Sequence, residues 1–385
     1  MHTTMWKGLG GLAVAAGVAT GAQAQDQDQD QDQEKAQGLQ WSDGAASASL
    51  YGTLDIGYVG RRGGNGAVAD TGTEHDLQSA AGSDGSNVGL KLGYALGGGT
   101  RLIGEVEVGV NLAGNEEAGS GGDTFYTRHA WLGATGGWGT LLGGTVDGGR
   151  AAVLKQYDPF KGRSVASAGA LQVVVSRAKD AVVYVTPTWR GFNATFAYTP
   201  NLLGVSDRDS RSPLYAVILA YNKGPLSIGY DHEEEWWEDV PGLTRLKINL
   251  LGASYDFGPL KLYGFYERID IQQPFDVAAL GFYHEHKGYL LGFTAPMGAN
   301  GLWKAAWSRR DSSYVDNTCD KWGMGYQHAL SAKAYLYADY ARIHNDAGGT
   351  CTIAYSNEQT SADLGQGDAG GYGIEGVDFG LVLKF

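Results

Sequence analysis

The charged side chains that could act on ions are concentrated in one stretch of this chain, from Arg150 to Asp180. The stretch carries six lysine or arginine residues against two aspartates. Fixed charges of one sign attract ions of the other, most strongly where water is confined and the dielectric constant is low. The chemistry indicated is therefore selection among dissolved ions. The residues are Arg150, Lys155, Asp158, Lys161, Arg163, Arg177, Lys179 and Asp180.

Hydrolytic chemistry is not indicated, because it needs a nucleophile, a base and an orienting group within reach of one another. The eight histidines are scattered, and the chain has no Gly-x-Ser-x-Gly segment. His284-Glu285-His286 could bind a metal ion, but we favour the alternative of exposed loop histidines. We therefore predict no enzyme, no metal and no cofactor.

The charged stretch lies between two strand-like segments, Gly139–Val146 and Ala181–Thr186, which are rich in β-branched residues. Connections longer than about 12 to 15 residues are uncommon and usually functional. If the strands close into a barrel too wide for side chains to fill, this loop can fold inward and narrow the opening. An exposed mobile loop is the alternative.

The rest of the chain alternates short strands with turns. Leu54 and Ile56 share one face of the first strand and Thr53 and Asp55 the other, as expected for a lipid-facing and a lumen-facing side. Short glycine- or proline-containing turns alternate with long polar loops, which is typical of outer-membrane barrels. The pattern predicts an all-β fold, a transmembrane antiparallel β-barrel of about 16 strands with an inward-folded third loop.

Composition agrees with a barrel and argues against other classes. The mean hydropathy is −0.24, and no segment after the first 24 residues has the ~18 apolar residues of a membrane helix. The strands of a membrane barrel alternate polar and apolar residues, so they lack such an apolar run. The 22 Tyr and 10 Trp suit the aromatic girdles of a barrel, and the 61 Gly suit its tight turns. With 42 acidic against 29 basic residues, a nucleic-acid partner is not expected.

The chain divides into three parts. Residues 1–24 have the basic, apolar and Ala-x-Ala regions of a secretory signal peptide. Residues 25–46 include a Gln-Asp repeat with nothing to bury and are predicted to be a disordered tail. Residues 47–385 form the predicted barrel. Cys319 and Cys351 are the two cysteines of an exported chain, and we predict that they form a disulfide between the seventh and eighth external loops, above the membrane.

Four segments together resemble the trimeric general-diffusion porins of Gram-negative bacteria, of the beta-proteobacterial and neisserial type. They are Leu50–Asp55, Arg128–Thr140, Arg177–Phe192 and the alternating C-terminus ending in Phe385. The resemblance implies a homotrimer in the outer membrane that contacts lipid and lipopolysaccharide and passes small hydrophilic solutes. It also implies that Phe379, Leu381, Leu383 and Phe385 are a signal for the outer-membrane assembly machinery.

The chain departs from the family at Thr145, where an inward arginine is common, and at Asp180, where asparagine is usual. The family's charge arrangement therefore does not transfer intact. From alternation we place Arg128 and Ala130 inward, and His129 and Trp131 outward.

The predicted constriction comprises wall residues and loop residues. We expect a weak preference for anions, with Lys91, Arg128 and Arg177 opposite Asp158. A solute-specific channel remains an alternative, with Trp236 and Trp237 stacking on sugars or forming part of a girdle, and a barrel enzyme is a further one. The constriction set is Asp55, Lys91, Glu105, Glu107, Arg128, Arg150, Lys155, Asp158, Lys161, Arg163, Arg177 and Asp180.

Overall fold

The computed structural model describes residues 38–64, 72–79, 85–113, 124–161, 164–168, 177–202, 212–236, 245–272, 285–312, 318–347, 349, 351–353 and 373–385. Within these residues the chain is almost entirely strand, with one short helix. None of the described helical structure is long and apolar enough to cross a membrane. The predicted signal peptide and most of the predicted tail lie outside the described residues.

The elements, in chain order, are one helix and eighteen strands. They are β1 (Leu39–Ser42), β2 (Ala46–Arg62), β3 (Thr73–Gln78), β4 (Asn87–Gly97), β5 (Thr100–Val110), β6 (Phe125–Gly136), β7 (Gly139–Asp147), α1 (Gly149–Tyr157), β8 (Arg177–Val185), β9 (Phe192–Thr199), β10 (Leu214–Lys223), β11 (Leu226–Trp236), β12 (Arg245–Asp256), β13 (Lys261–Gln272), β14 (Glu285–Met297), β15 (Gly301–Ser312), β16 (Cys319–Ser331), β17 (Ala334–Asn345) and β18 (Glu375–Lys384).

The sheet closes on itself as an antiparallel barrel. Each strand from β4 to β18 pairs with its sequence neighbours, and β2 joins β4 on one side and β18 on the other. Of the eighteen strands, β1 and β3 are short and pair alongside the first and last parts of β2. The other sixteen strands form the wall, as predicted. A barrel of this size is too wide for its own side chains to fill.

Ordered structure begins earlier than the predicted boundary between tail and barrel. The sequence predicts disorder through residue 46, but Leu39–Ser42 form β1 and Ala46 already belongs to β2. The backbone of β1 pairs with the start of β2, from Leu39 opposite Leu50 to Ser42 opposite Ser47. Backbone pairing does not depend on apolar side chains, which is why composition did not reveal it.

The two faces of the wall alternate as lipid and lumen require. Leu54 and Ile56 point outward, whereas Asp55 between them is fully buried inside. Aromatic side chains collect near both strand ends and contact one another, as in the Tyr215–Trp236 and Trp303–Tyr326 pairs. Trp236 therefore belongs to an aromatic girdle, while Trp237 lies outside the described residues.

The short turns lie where the sequence predicts them. Gly97, Gly98 and Gly99 all have positive φ, between 61° and 87°, and connect β4 to β5. At the opposite end of the barrel, the polar segment after β2 contains a further strand, since β3 pairs with Gly57–Arg62 of β2.

A disulfide joins Cys319 to Cys351, the pair expected from the sequence. Cys319 begins β16, and both cysteines are fully buried. They belong to the same apolar cluster as Val165 of the third loop and Ile353. The bond therefore restrains the eighth loop against the third loop at the end of the barrel where β16 begins.

Candidate functional site

The third loop, between β7 and β8, folds into the barrel. Its helix α1 contacts β11, β12 and β13 from the inside, and residues 158–168, as far as they are described, continue toward β18. The wall beneath the loop is lined by inward-facing glycines, which we call the glycine track: Gly229, Gly252, Gly292, Gly323 and Gly376.

The glycine track gives the loop room to lie flat. A Cβ on Gly229 would stand 2.9 Å from Tyr157, and one on Gly252 would overlap the ring of the same tyrosine. Pro159 occupies the equivalent space at Gly292, 2.7 Å away. Since any side chain on the track would displace the loop, these glycines determine how much of the lumen the loop leaves open.

Ion pairs and hydrogen bonds hold the start of the loop against the wall. The Arg150 guanidinium donates from Nη2 to Glu267 Oε1 at 2.7 Å, and the Arg150 backbone N–H donates to Glu233 Oε1 at 2.9 Å. Burial lowers the pKa of the Arg150 guanidinium, but the nearby carboxylates, led by Glu267, raise it above its ordinary value. Burial also raises the pKa of Tyr157 to about 12, and its hydroxyl lies 3.1 Å from Ser227 Oγ.

The middle of the loop, residues 158–168 as far as they are described, is held through its backbone. The N–H of Val165 donates to Asp378 Oδ2 at 2.7 Å, and Lys321 Nζ donates to the Val165 carbonyl at 3.3 Å. Asp158 accepts hydrogen bonds from the N–H groups of Phe160, at 2.9 Å, and Ala168, at 2.7 Å. The described part of the loop is therefore held to the wall at Arg150 and at Val165, and Asp158 adds hydrogen bonds within it.

Three residues predicted to line the constriction are buried and bonded to other parts of the protein. Arg150 and Asp158 are buried under the loop, at 5% and 2% exposure. Asp55 is fully buried and accepts a hydrogen bond from the Tyr337 hydroxyl at 3.1 Å. These charges hold the loop and the wall together, so they do not face the open water.

A group of interacting polar side chains lies on the inner wall from β2 to β8. We call it the wall cluster: Tyr51, Glu105, Glu107, Arg128, His129, Asp147 and Arg177. It extends over five strands, β2, β5, β6, β7 and β8. Four of its members, Glu105, Glu107, Arg128 and Arg177, were predicted from the sequence, and the structure brings those four together.

Carboxylates pair with cations throughout the wall cluster. Arg128 Nε donates to Glu107 Oε1 at 2.5 Å, and Arg177 Nη1 lies 2.9 Å from Asp147 Oδ1. His129 joins the two halves, since its Nε2 is 3.0 Å from Asp147 Oδ1 and its Nδ1 is 3.4 Å from Glu105 Oε1.

A β-bulge explains why His129 was placed on the wrong face. Glu107 pairs with His129 but the next residue, Val108, pairs with Thr127, so Arg128 is an extra residue in β6. An extra residue breaks strict alternation. Arg128 and His129 both point inward, Trp131 is buried, and Ala130 is exposed on the outer face.

The remaining predicted residues take varied positions. Lys91 lies over the Tyr51 ring, 4.8 Å from its centroid, and Lys155 of α1 interacts electrostatically with Asp147. Lys161 is exposed on the loop. Asp180 is exposed in a break of the β7–β8 pairing and has φ of 52°. Arg163 lies outside the described residues.

Sequence reasoning missed Tyr51 and Asp147, besides misplacing His129. An inward tyrosine gives no signal of its own, but Asp147 stands directly before the third loop and could have been included on that ground. The His284-Glu285-His286 segment is not a metal site in the part described. Glu285 pairs with Lys287 on the outer face, whereas His286 is buried inside β14.

A wide antiparallel barrel with an inward loop and a charged wall defines a water-filled channel. The model of the Gram-negative porin family matches residues 11–348, and the chain belongs to this family. It is an outer-membrane diffusion channel for small hydrophilic solutes. Its family and fold are those of a channel rather than an enzyme.

Known relatives agree with this membership. The chain is 26% identical over 359 residues to outer membrane porin protein 32 of Delftia acidovorans, covering 88% of this chain and 94% of that protein. Its fold is similar to that of the anion-selective porin from Comamonas acidovorans, with a TM-score of 0.71, 23% identity, and coverage of 88% and 100%. OmpT of Vibrio cholerae in its trimer form has a TM-score of 0.60 at 12% identity, with coverage of 89% and 100%.

Proposed function

We propose that the channel prefers small anions weakly. The observation that carries this is the charge balance of the inner wall next to the start of the third loop, where Lys91, Arg128, Lys155 and Arg177 lie among Glu105, Glu107 and Asp147. Counting the lysine, arginine and carboxylate side chains alone, these four cations and three anions leave one positive charge. The described loop adds the exposed Lys161. The anion-selective porin of similar fold supports the sign of the preference.

The test is the reversal potential of purified, refolded protein in a salt gradient. We expect weak anion selectivity in the wild type, and cation selectivity in the triple variant Lys91→Gln, Arg128→Gln, Arg177→Gln. The triple variant leaves one cation against three carboxylates in this part of the wall. The three carboxylates are buried, and salt screens buried charges much less than exposed ones, so their field still reaches an ion in the lumen.

A matched triple variant on the outer face provides the control. Arg245, Arg268 and Lys287 are outward-facing cations on β12, β13 and β14, and their replacement by glutamine removes the same formal charge. Since the wall separates them from the lumen, we expect little change in reversal potential. A cation-selective wild type, or identical shifts in the two triple variants, would contradict the proposal.

We further propose that the chain assembles as a homotrimer. On the described parts of β4, β5, β6 and β7 no charged side chain points outward, whereas β11 to β14 carry outward ion pairs such as Arg245–Glu234 and Arg268–Glu285. An outer face without charged side chains suits contact with another copy along its whole height. The trimer form of OmpT supports this arrangement.

Leu132 on β6 and Leu291 on β14 provide a matched test of the trimer, since both point outward and are 68% and 66% exposed. Arginine on a lipid face costs about 2–4 kcal/mol at mid-membrane, so both variants carry a comparable penalty. We expect the wild type and Leu291→Arg to migrate as a trimer in unheated gels, and Leu132→Arg as a monomer. Wild-type mobility that boiling leaves unchanged would refute the trimer.

The remaining proposals concern export and neighbours. We propose that residues 1–24 are cleaved as a signal peptide, and that the alternate apolar residues ending in Phe385 are recognised by the assembly machinery. Outward cations near the external rim, Arg245 and Lys247 among them, support contact with lipopolysaccharide phosphates. We propose no catalysed reaction.

A further inference from the structure

The wall cluster contains three metal-ligating side chains in close contact. Glu105, Glu107 and His129 each offer one ligand atom within 4.8 Å of the others, and all three are buried. His129 Nδ1 lies 3.4 Å from Glu105 Oε1 and 3.8 Å from Glu107 Oε2. We propose that Glu105, Glu107 and His129 form a binding site for a divalent transition-metal ion of the zinc class in the channel wall.

The hydrogen bond to Asp147 orients the histidine as a ligand. Nε2 of His129 lies 3.0 Å from Asp147 Oδ1, so the proton of a neutral ring is held on Nε2. The lone pair of Nδ1 then faces two carboxylates, which are also acceptors only. Three facing acceptors need a cation between them, either a second ring proton or a metal ion. A carboxylate behind the histidine is the usual support of a metal ligand.

Glu105 supplies a separate observation. Its side chain is only 1% exposed, yet its Oε2 has no hydrogen-bond partner among the described residues. The neighbouring Glu107 is different, since Arg128 donates to one oxygen and Tyr51 to the other, at 2.7 Å. The single phenol proton of Tyr51 cannot serve both carboxylates, although the hydroxyl contacts both. Glu105 therefore keeps unused capacity for a cation.

The spacing and chemistry of the ligands fit a tetrahedral ion. With metal–ligand bonds of about 2.0–2.2 Å, two ligand atoms of a tetrahedral ion lie roughly 3.3–3.6 Å apart. The 3.4 Å and 3.8 Å separations from His129 Nδ1 are close to this range. Imidazole with carboxylates suits Zn²⁺, whereas Mg²⁺ and Ca²⁺ prefer oxygen ligands alone. Three protein ligands leave a fourth position for water or a solute anion.

Binding would change the channel's electrostatics. A bound divalent ion adds positive charge beside Glu105 and Glu107 and displaces the Tyr51–Glu105 hydrogen bond. The local balance then favours anions more strongly. Metal binding itself does not depend on the proposed selectivity of the unloaded channel, so the two proposals can fail separately.

The test is calorimetric titration of the purified, refolded full barrel with Zn²⁺. We expect one ion per chain in the wild type, no measurable binding in His129→Gln, and at least about tenfold weaker binding in Asp147→Asn, the loss typical of removing a supporting carboxylate. Glu105→Gln, which keeps the side-chain shape, should also abolish tight binding. His232→Gln is the control, since His232 points outward on β11 and should leave the affinity unchanged.

The reversal potential is a second measurement, and it distinguishes a Zn²⁺ site in the channel wall from a Zn²⁺ site elsewhere on the protein. Micromolar Zn²⁺ should shift the wild-type reversal potential toward anions and leave that of Glu105→Gln unmoved. Absence of binding to the wild type would overturn the proposal. Equal affinity in the wild type and Glu105→Gln would also overturn it, and circular dichroism of each variant confirms that the barrel has folded.

Discussion

Replacing Arg150 by glutamine should turn a steady channel into a flickering one. The guanidinium is buried and bonded to Glu267, and the loss of one partner of a buried ion pair costs about 3–5 kcal/mol because the other charge stays behind. Glu233 and Glu235 add further negative charge at the same place. The start of the third loop would leave the wall and move through the open half of the lumen. Single-channel recordings in planar bilayers measure this directly.

Arg268→Gln is the matched control for Arg150→Gln. Arg268 is on the neighbouring position of the same strand as Glu267, but it points outward, pairs with Asp270 at 2.9 Å and is 47% exposed. Exposed ion pairs are worth about 0–1 kcal/mol. We expect the conductance and current noise of Arg268→Gln to match those of the wild type. If the current noise of Arg150→Gln is equally low, the anchoring role assigned to Arg150 is wrong.

Substituting alanine for Gly252 should narrow the channel persistently. A Cβ there would overlap the Tyr157 ring, and the ring has no room to retreat because it also packs against Gly229. Overpacking of this kind costs about 1–3 kcal/mol, and the loop relieves it by moving into the lumen. The expected result is a lower open-channel conductance, without the flicker of a detached loop.

Two further variants make the Gly252→Ala experiment decisive. Gly143→Ala adds the same methyl group on β7, where the nearest atom would be 3.6 Å away, an ordinary contact, so conductance should not change. The double variant Gly252→Ala, Tyr157→Ala removes the overlapping ring and should regain conductance. A single Gly252→Ala channel with wild-type conductance would show that the glycine track does not position the loop.

The barrel itself could be predicted because its rules are local. Lipid on one side and water on the other impose a period of two on every strand, and glycines such as Gly97 to Gly99 mark the turns. The period of two gave the wrong orientations in β6, where the strand contains a bulge. One extra residue, Arg128, moved His129 to the inner face, and a bulge has no signature in an alternation of polar and apolar residues.

The roles of the loop charges could not be predicted from the loop alone. Arg150, Lys155 and Asp158 occur within nine residues, yet Arg150 and Asp158 are buried and Lys155 interacts electrostatically with Asp147 of the wall cluster. Which side of the loop meets the wall depends on the glycine track, whose members are spread from residue 229 to residue 376. Residues far apart in sequence therefore decide which charges reach the water.

The buried disulfide fixes an order of events during biogenesis. Thiol–disulfide exchange requires an attacking thiolate to reach a sulfur atom, and Cys319 and Cys351 are both inaccessible in the finished barrel. Oxidation must therefore precede closure of the third and eighth loops, while the chain is still incompletely folded in the periplasm. Once those loops have closed, we expect reductants to reach the bond, and oxidants to reach a reduced pair, only through local opening of the loops. We therefore expect each molecule to keep largely the redox state in which it entered the membrane.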